Sequence, residues 1–339
     1  MLLLENNFIS GQNFASLSDI VFCENLQYDE FEKINNEKLK IINKNSDIVL
    51  YKLKKFEIKN GDIIFCHISF IKNLFYYLNK LKVVDHITLI TGQSDKKIDN
   101  KTFQKKPECI KKWYSINVEY ENDNLIPIPL GIANNYSKKN IPAKDFISNE
   151  SKTFKKEEKL YINIRKSTNY KERASLENDY KDLNWVVYKE PNLTTKEYLD
   201  DLKKFKFTLC PWGNGIDTHR VWEALYSGSI PVIKYHHTFS SVKNLPIIFL
   251  NKYEDLNLEL LVKKSKQLNF EQTHELDINY WKNVIHNNKI KFDNKKELVV
   301  ENLIFEFFFK YSTLIQAYFS NKSKLIAFYL KKVESKLKQ

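Results

Sequence analysis

Arg165, Arg173 and Arg220 are the three arginines of a 339-residue chain whose 54 basic residues are otherwise lysine. A guanidinium is a flat, permanently charged fork that lysine cannot copy, and bidentate binding of phosphate is its commonest use. Taken singly, each arginine is as well suited to a structural ion pair; gathered in one stretch, the three point to an anion site. Glycine is scarce as well, seven in all, yet Gly213, Gly215 and Gly228 fall close together beside Arg220. The segment from Phe207 to Ile233 reads FTLCPWGNGIDTHRVWEALYSGSIPVI. Gly213 and Gly215 flank Asn214 and let the backbone turn sharply and approach a ligand. Asp217–Thr218 is placed to cap a helix carrying His219, Arg220 and Glu223, whose first turn offers free N–H groups and positive dipole to an anion. Glu223 can accept both hydroxyls of a ribose. Apolar strand, glycine turn and capped helix with Arg and Glu together describe a site for a nucleoside diphosphate.

The elements that must hold these residues alternate between strand and helix. In the first half, strands are expected at Asp19–Cys23, Asp47–Tyr51, Asp62–Ile68, Ile87–Thr91 and Leu125–Leu130, with a helix over Ser69–Lys82. Several are continuous apolar runs, as parallel strands covered on both faces should be. The polar, lysine-rich stretch from Tyr136 to Lys159 reads as a connection. A second alternation follows, with strands at Leu160–Ile164, Trp185–Tyr188, Phe205–Cys210, Ile230–Lys234 and Ile247–Leu250. Helices are expected between them at Tyr170–Tyr180, Thr195–Lys204 and Thr218–Ser227. Such alternation predicts the α/β class, with two Rossmann-like domains at 1–150 and 151–290. From Glu297 the apolar spacing turns helical, so 291–339 is expected to form C-terminal helices. These either pack on the body or dock on an anionic membrane face.

The Phe207–Ile233 segment resembles the C-terminal signature of exostosin-type glycosyltransferases and related bacterial and viral surface-sugar transferases of GT-B fold. More distantly it is similar to α1,3-fucosyltransferases. Weaker similarity, in ITLITGQSD (87–95) and IPIPLGIAN (126–134), extends the resemblance over roughly 60–255. It implies two Rossmann-like domains facing a cleft, the rear one holding a nucleotide-sugar donor and the front one a glycan or glycolipid acceptor. Carried across, Arg220 would neutralise the diphosphate and Glu223 hold the ribose. Asn214, Gly215, Asp217, Thr218 and His219 would line the phosphate or sugar, with Arg165 as a second leaving-group cation. Arg173 is equally suited to an ion pair with Glu172 or Glu177. Inverting transfer needs a base on the front domain. His67 and Asp95, each ending an expected strand, are the candidates; His67 also fits a core histidine and Asp95 a turn. The position eight before Glu223 is Gly215, so the glutamate pair of retaining enzymes is missing, which favours inversion. No DxD suggests a metal, Asp200–Asp201 reading as a solvated helix face, and no cofactor is expected.

Composition sets the outer bounds. A net charge of +12 admits phosphorylated small molecules, an anionic membrane or nucleic acid. The lysines are scattered and no RNA-stacking module appears, so a non-catalytic RNA- or anionic-polymer-binding protein is the alternative rather than the leading reading. Four spaced cysteines with no metal pattern fit reduced, buried thiols. With no secretion signal or spanning run, the expectation is a cytoplasmic protein, peripheral on the inner membrane face if the tail docks there.

Overall fold

The computed structural model describes residues 7–81, 84–134, 136, 140–147 and 156–287, together with the backbone of 295–299. Within the range 291–339 expected to be helical, residues 295–299 form a strand instead, and the rest of the expected tail lies outside the described residues. Among those described, no helix is long and apolar enough to cross a membrane.

The first half builds β1 (Ile20–Gln27), β2 (Leu39–Lys44), β3 (Ile48–Leu53), β4 (Lys55–Lys59), β5 (Ile63–His67), β6 (Ile87–Gly92), β7 (Ile110–Ser115) and β8 (Leu125–Pro127). Seven of them form one sheet in the order β2-β3-β1-β5-β6-β7-β8. From β1 to β8 the pairs are parallel, whereas β2 and β3 run antiparallel at one edge. The Asp47–Tyr51 run is therefore half of a hairpin and not a wound strand. Its partner β2, of sequence LKIINK, has neither a continuous apolar run nor a regular alternation and is largely exposed, so it offers no buried-strand signal. Helices α1 (Gly11–Ser16), α2 (Tyr28–Ile34), α3 (Ile71–Leu78) and α4 (Asn100–Phe103) accompany these strands. The short α5 (Ala143–Phe146) lies in the expected connection, where Ile141 is buried and Phe146 packs on the core.

The second half builds β9 (Glu157–Ile162), α6 (Tyr170–Arg173), α7 (Leu176–Tyr180), β10 (Val186–Tyr188), α8 (Thr195–Lys204), β11 (Phe205–Leu209), α9 (His219–Tyr226), β12 (Ile230–Lys234), β13 (Ile248–Leu250), α10 (Leu258–Ser265) and α11 (Ile278–His286). The sheet order is β10-β9-β11-β12-β13 and every pair is parallel. Strand order reverses between β9 and β11, so the loops leaving these two strands diverge and open a crevice at their carboxyl ends, the place where doubly wound sheets bind ligands. The single helix expected over Tyr170–Tyr180 is two: α6, capped by Asn169 and ending at the buried Arg173, and α7, starting at Leu176. Farther on, β14 (Lys295–Val299) pairs with β4.

Local chemistry fixes the helices beside the crevice. α8 starts on a complete capping box between Thr194 and Glu197. α9 stops in a Schellman turn: Gly228, at φ 70°, donates its N–H to Leu225 O at 3.0 Å, and Ser229 donates to Ala224 O at 2.9 Å. Lys156 then donates to Leu202 O (3.0 Å), Lys203 O (2.6 Å) and Ser227 O (3.0 Å), satisfying carbonyls at the ends of both α8 and α9. One hydrophobic cluster joins the halves, containing Phe8, Ile9, Phe65 and Tyr114 together with Tyr161, Trp222 and Trp281. All four cysteines are free and buried.

Candidate active site

The crevice between β9 and β11 is floored by Arg173. Its Nε donates to Trp212 O at 2.8 Å, one terminal nitrogen to Pro211 O at 2.9 Å and the other to Arg165 O at 3.3 Å. Asn169 adds a bond from Nδ2 to Gly213 O at 2.8 Å. The expected ion pairs of Arg173 with Glu172 or Glu177 do not form. Glu172 instead binds Lys234 at 2.7 Å and Glu177 binds Lys166 at 2.7 Å. Arg173 is 4% exposed, and burial, then the neighbouring charge of Arg220, pulls its guanidinium down to about 10.

Arg220 stands in the first turn of α9 with its guanidinium 5.9 Å from the centre of the Tyr198 ring. Tyr198 Oη donates to Glu223 Oε2 at 3.1 Å, so α8 supplies an aromatic plate that orders both the cation and the carboxylate. No salt bridge holds Arg220 among the described residues, and its buried Nε has no hydrogen-bond partner there. Thr218 occupies the N-cap position of α9, yet its hydroxyl caps nothing and is likewise buried without a partner. Trp212 Nε1 and His237 Nε2 share that condition. Buried donors are normally satisfied, so the open groups of Thr218 and Trp212 around Gly213, with Arg220 two residues past Thr218, suit a polar ligand. Two guanidiniums near each other make that ligand an anion.

The remaining expected donor residues divide between the loop surface and the junction with the first sheet. Asn214 is exposed at the loop tip, and Arg165 is exposed just past β9. Gly215 passes so close to Asn117, in the loop after β7, that a Cβ would stand 2.8 Å from Asn117 Nδ2. The Asn117 Oδ1 accepts the Asp217 N–H at 2.9 Å. Asp217 is 2% exposed; its carboxylate accepts from Leu130 N (2.8 Å) and Trp222 Nε1 (2.9 Å), and burial pushes it up to about 7 against the pull of those bonds. His219 Nδ1 lies 2.7 Å from Gly131 O, and because a carbonyl can only accept, that nitrogen carries the proton. Asp217 and His219 thus tie α9 to residues 130–131 of the first half.

On the first sheet, His67 ends β5 and Asp95 follows β6, both at the carboxyl edge of the parallel strands. His67 Nδ1 accepts the Ser69 N–H at 3.2 Å. Burial, then Lys96, lowers the ring to about 4, against a bond from the Gln93 backbone that raises it. Asp95 is exposed. Asp200 is also exposed, but Asp201 is buried and paired with Lys189 at 2.7 Å, so the pair is no solvated face. Among the described residues no group of three or more His, Cys, Asp or Glu is placed to hold a metal. Sequence reading passed over Tyr198 and Asn117, which act through contacts across the chain.

Residues 143–295, spanning the second sheet and its helices, match the family model of the RXYLT1 C-terminal domain. No curated protein matches the sequence. The family match supports the glycosyltransferase class for this part of the chain.

Proposed function

We propose that the chain is a nucleotide-sugar-dependent glycosyltransferase of GT-B architecture. It would pass a sugar with inversion to a hydroxyl of a glycan or glycolipid, as in surface-polysaccharide assembly, using arginine rather than a metal to meet the leaving group. The observation that carries this reading is the unpartnered Nε of Arg220 beside the guanidinium of Arg173, at the carboxyl edge of a wholly parallel sheet. Arg220 and the first turn of α9 bind the diphosphate. Thr218 offers its hydroxyl to the same group, and Glu223, steadied by Tyr198, accepts the ribose hydroxyls. Arg165, with Asn214 on the facing loop, flanks the phosphates, and Gly215 lets that loop pass close against Asn117. Arg173 contributes field, and its forked donors hold the loop that Trp212 and Gly213 build.

Positive charge fixed before reaction stabilises the departing nucleoside diphosphate as its negative charge develops, without reorganisation. The acceptor hydroxyl must lose its proton to a base, and the carboxyl edge of the first sheet, with His67 and Asp95, is where that base belongs. A thermal-shift panel of UDP-, GDP- and dTDP-sugars tests the donor site. At least one should stabilise the protein, and Arg220→Lys should cost about 1.5–3 kcal/mol of that binding, roughly 10- to 100-fold in affinity. Folded protein that binds none of them would end this reading.

A further inference from the structure

Strand register places a third titratable group on the edge where His67 stands. Cys23 pairs with Cys66 across β1 and β5, so Glu24 is level with His67, and His67 in turn pairs with Gly92 on β6. Glu24 is 6% exposed in the interior of a strand. Its Oε1 accepts from Tyr51 Oη at 2.8 Å, while its buried Oε2 has no hydrogen-bond partner among the described residues. A carboxylate desolvated in a strand is costly unless its oxygens are satisfied; the Gln93 amide nearby eases that cost, but no donor stands at bonding distance from Oε2 among the described residues.

Gln93 and Tyr136 border Glu24. Gln93, held at φ 59°, accepts the Asn25 N–H at 2.7 Å and donates to Tyr136 Oη at 3.2 Å. Tyr136 also bonds Asn25 O, and Asn134 Nδ2 donates to Tyr136 Oη at 2.7 Å. Asn134 lies three residues past Gly131, whose carbonyl meets His219 at the head of α9. One short segment thus links the neighbourhood of Glu24 to the helix that carries Arg220. The titratable groups that act on Glu24 are Tyr51 from β3, Glu30 from α2 and Tyr136 from that segment; His67 stands level with it on β5 with Lys96 near that ring, and Lys52 of β3 pairs with the adjacent Cys23.

We propose that Glu24 is the catalytic base, receiving the acceptor proton on Oε2. This rests on the donor reading above. The acceptor O–H bond breaks and its proton passes to Oε2, while the acceptor oxygen bonds the anomeric carbon. The bond from that carbon to the diphosphate oxygen breaks, and its electron pair leaves with the nucleoside diphosphate, whose new charge faces Arg220. Burial raises Glu24 to about 7, against the lowering bonds from Tyr51 and Gln93, which suits a base working near neutral pH. His67, held near 4 with Nδ1 occupied, and Asp95, out in solvent, meet that need less well.

The test uses the full chain, the sugar nucleotide that stabilises it most, and simple glycosides or water as acceptor. In Glu24→Gln, donor affinity should stay within about twofold while nucleoside diphosphate release falls by about 10²–10⁴-fold. Tyr51→Phe removes a bond that lowers Glu24, so the acid limb of its pH–kcat profile should move to higher pH. Release by Glu24→Gln within about threefold of wild type, with donor still bound, overturns the base and leaves the donor site standing. If that variant does not fold, an unmoved acid limb in Tyr51→Phe overturns the base instead. Failure of the wild-type chain to bind any sugar nucleotide removes both.

Discussion

Arg173 and Arg220 share a crevice but are given different work by their partners. Every nitrogen of Arg173 has a carbonyl to hold, whereas Arg220 rests on an aromatic face with its Nε unsatisfied. A lysine at position 173 has one compact ammonium and cannot span three carbonyls. Arg173→Lys should therefore lower the unfolding free energy by about 1–3 kcal/mol, through buried carbonyls left unmade, as measured by urea titration. Arg220→Lys gives up an aromatic contact but no carbonyl bond, so it should cost clearly less stability than Arg173→Lys and act chiefly on donor affinity. Equal losses of stability in both would show that Arg220 is structural too. Glu223→Ala separates binding from general charge in another way: it removes the ribose acceptor, so donor affinity should fall while affinity for inorganic pyrophosphate does not, in paired calorimetric titrations.

Elements, rather than residues, decide whether α9 presents its first turn to the crevice. Its far end is stopped by Gly228 at φ 70° and tied through Lys156 to the end of α8, which carries Tyr198. Gly228→Ala should cost about 1 kcal/mol by forcing a side chain into a left-handed turn. Lys156→Met should cost about 1–3 kcal/mol by leaving carbonyls of both helices without their donor. Both variants should also weaken donor binding, because they release the two helices that set Tyr198 against Arg220 and Glu223. Much of this was legible in the sequence, because here local chemistry and tertiary structure agree. Thr194 and Glu197 mark the start of α8, SGS marks the end of α9, and the apolar runs at β11 and β12 are strands wherever they are read. Of the edge hairpin only β3 was legible, through its apolar run; β2 was not, because a largely exposed antiparallel edge strand carries no such run. The junction escaped for another reason. Asp217 and His219 bond to residues 87 and 88 positions away, a pairing that spacing along the chain cannot express.

Across the whole molecule many groups couple folding to pH, and among the described residues Asp217, Glu24 and His67 are buried ones with large shifts that pull in opposite directions. Asp217, at the junction of the halves, and Glu24, on the first sheet, are each raised to about 7 by burial. The folded chain holds these protons more tightly than the unfolded one, so their contribution is full below the ordinary carboxylate range and is lost as pH rises towards 7. His67 is lowered to about 4, chiefly by burial, so its contribution is present above the ordinary histidine range and is lost as pH falls towards 4. Between about pH 4.5 and 6 the folded state keeps two protons that the unfolded state has released, and lacks one that the unfolded state has gained. One net proton corresponds to a loss of about 1.4 kcal/mol of stability from these groups per unit rise in pH. His67→Gln removes the opposing member and should roughly double the downward slope of their combined contribution. Glu24→Gln removes one acid and should bring that contribution close to level. Urea unfolding of the three proteins at pH 5 and pH 6 measures the differences directly, since the remaining groups are common to all. A wild-type slope unchanged in Glu24→Gln would mean that its carboxyl titrates alike in the folded and unfolded chain, and would remove the neutral-pH base from the acceptor side as well.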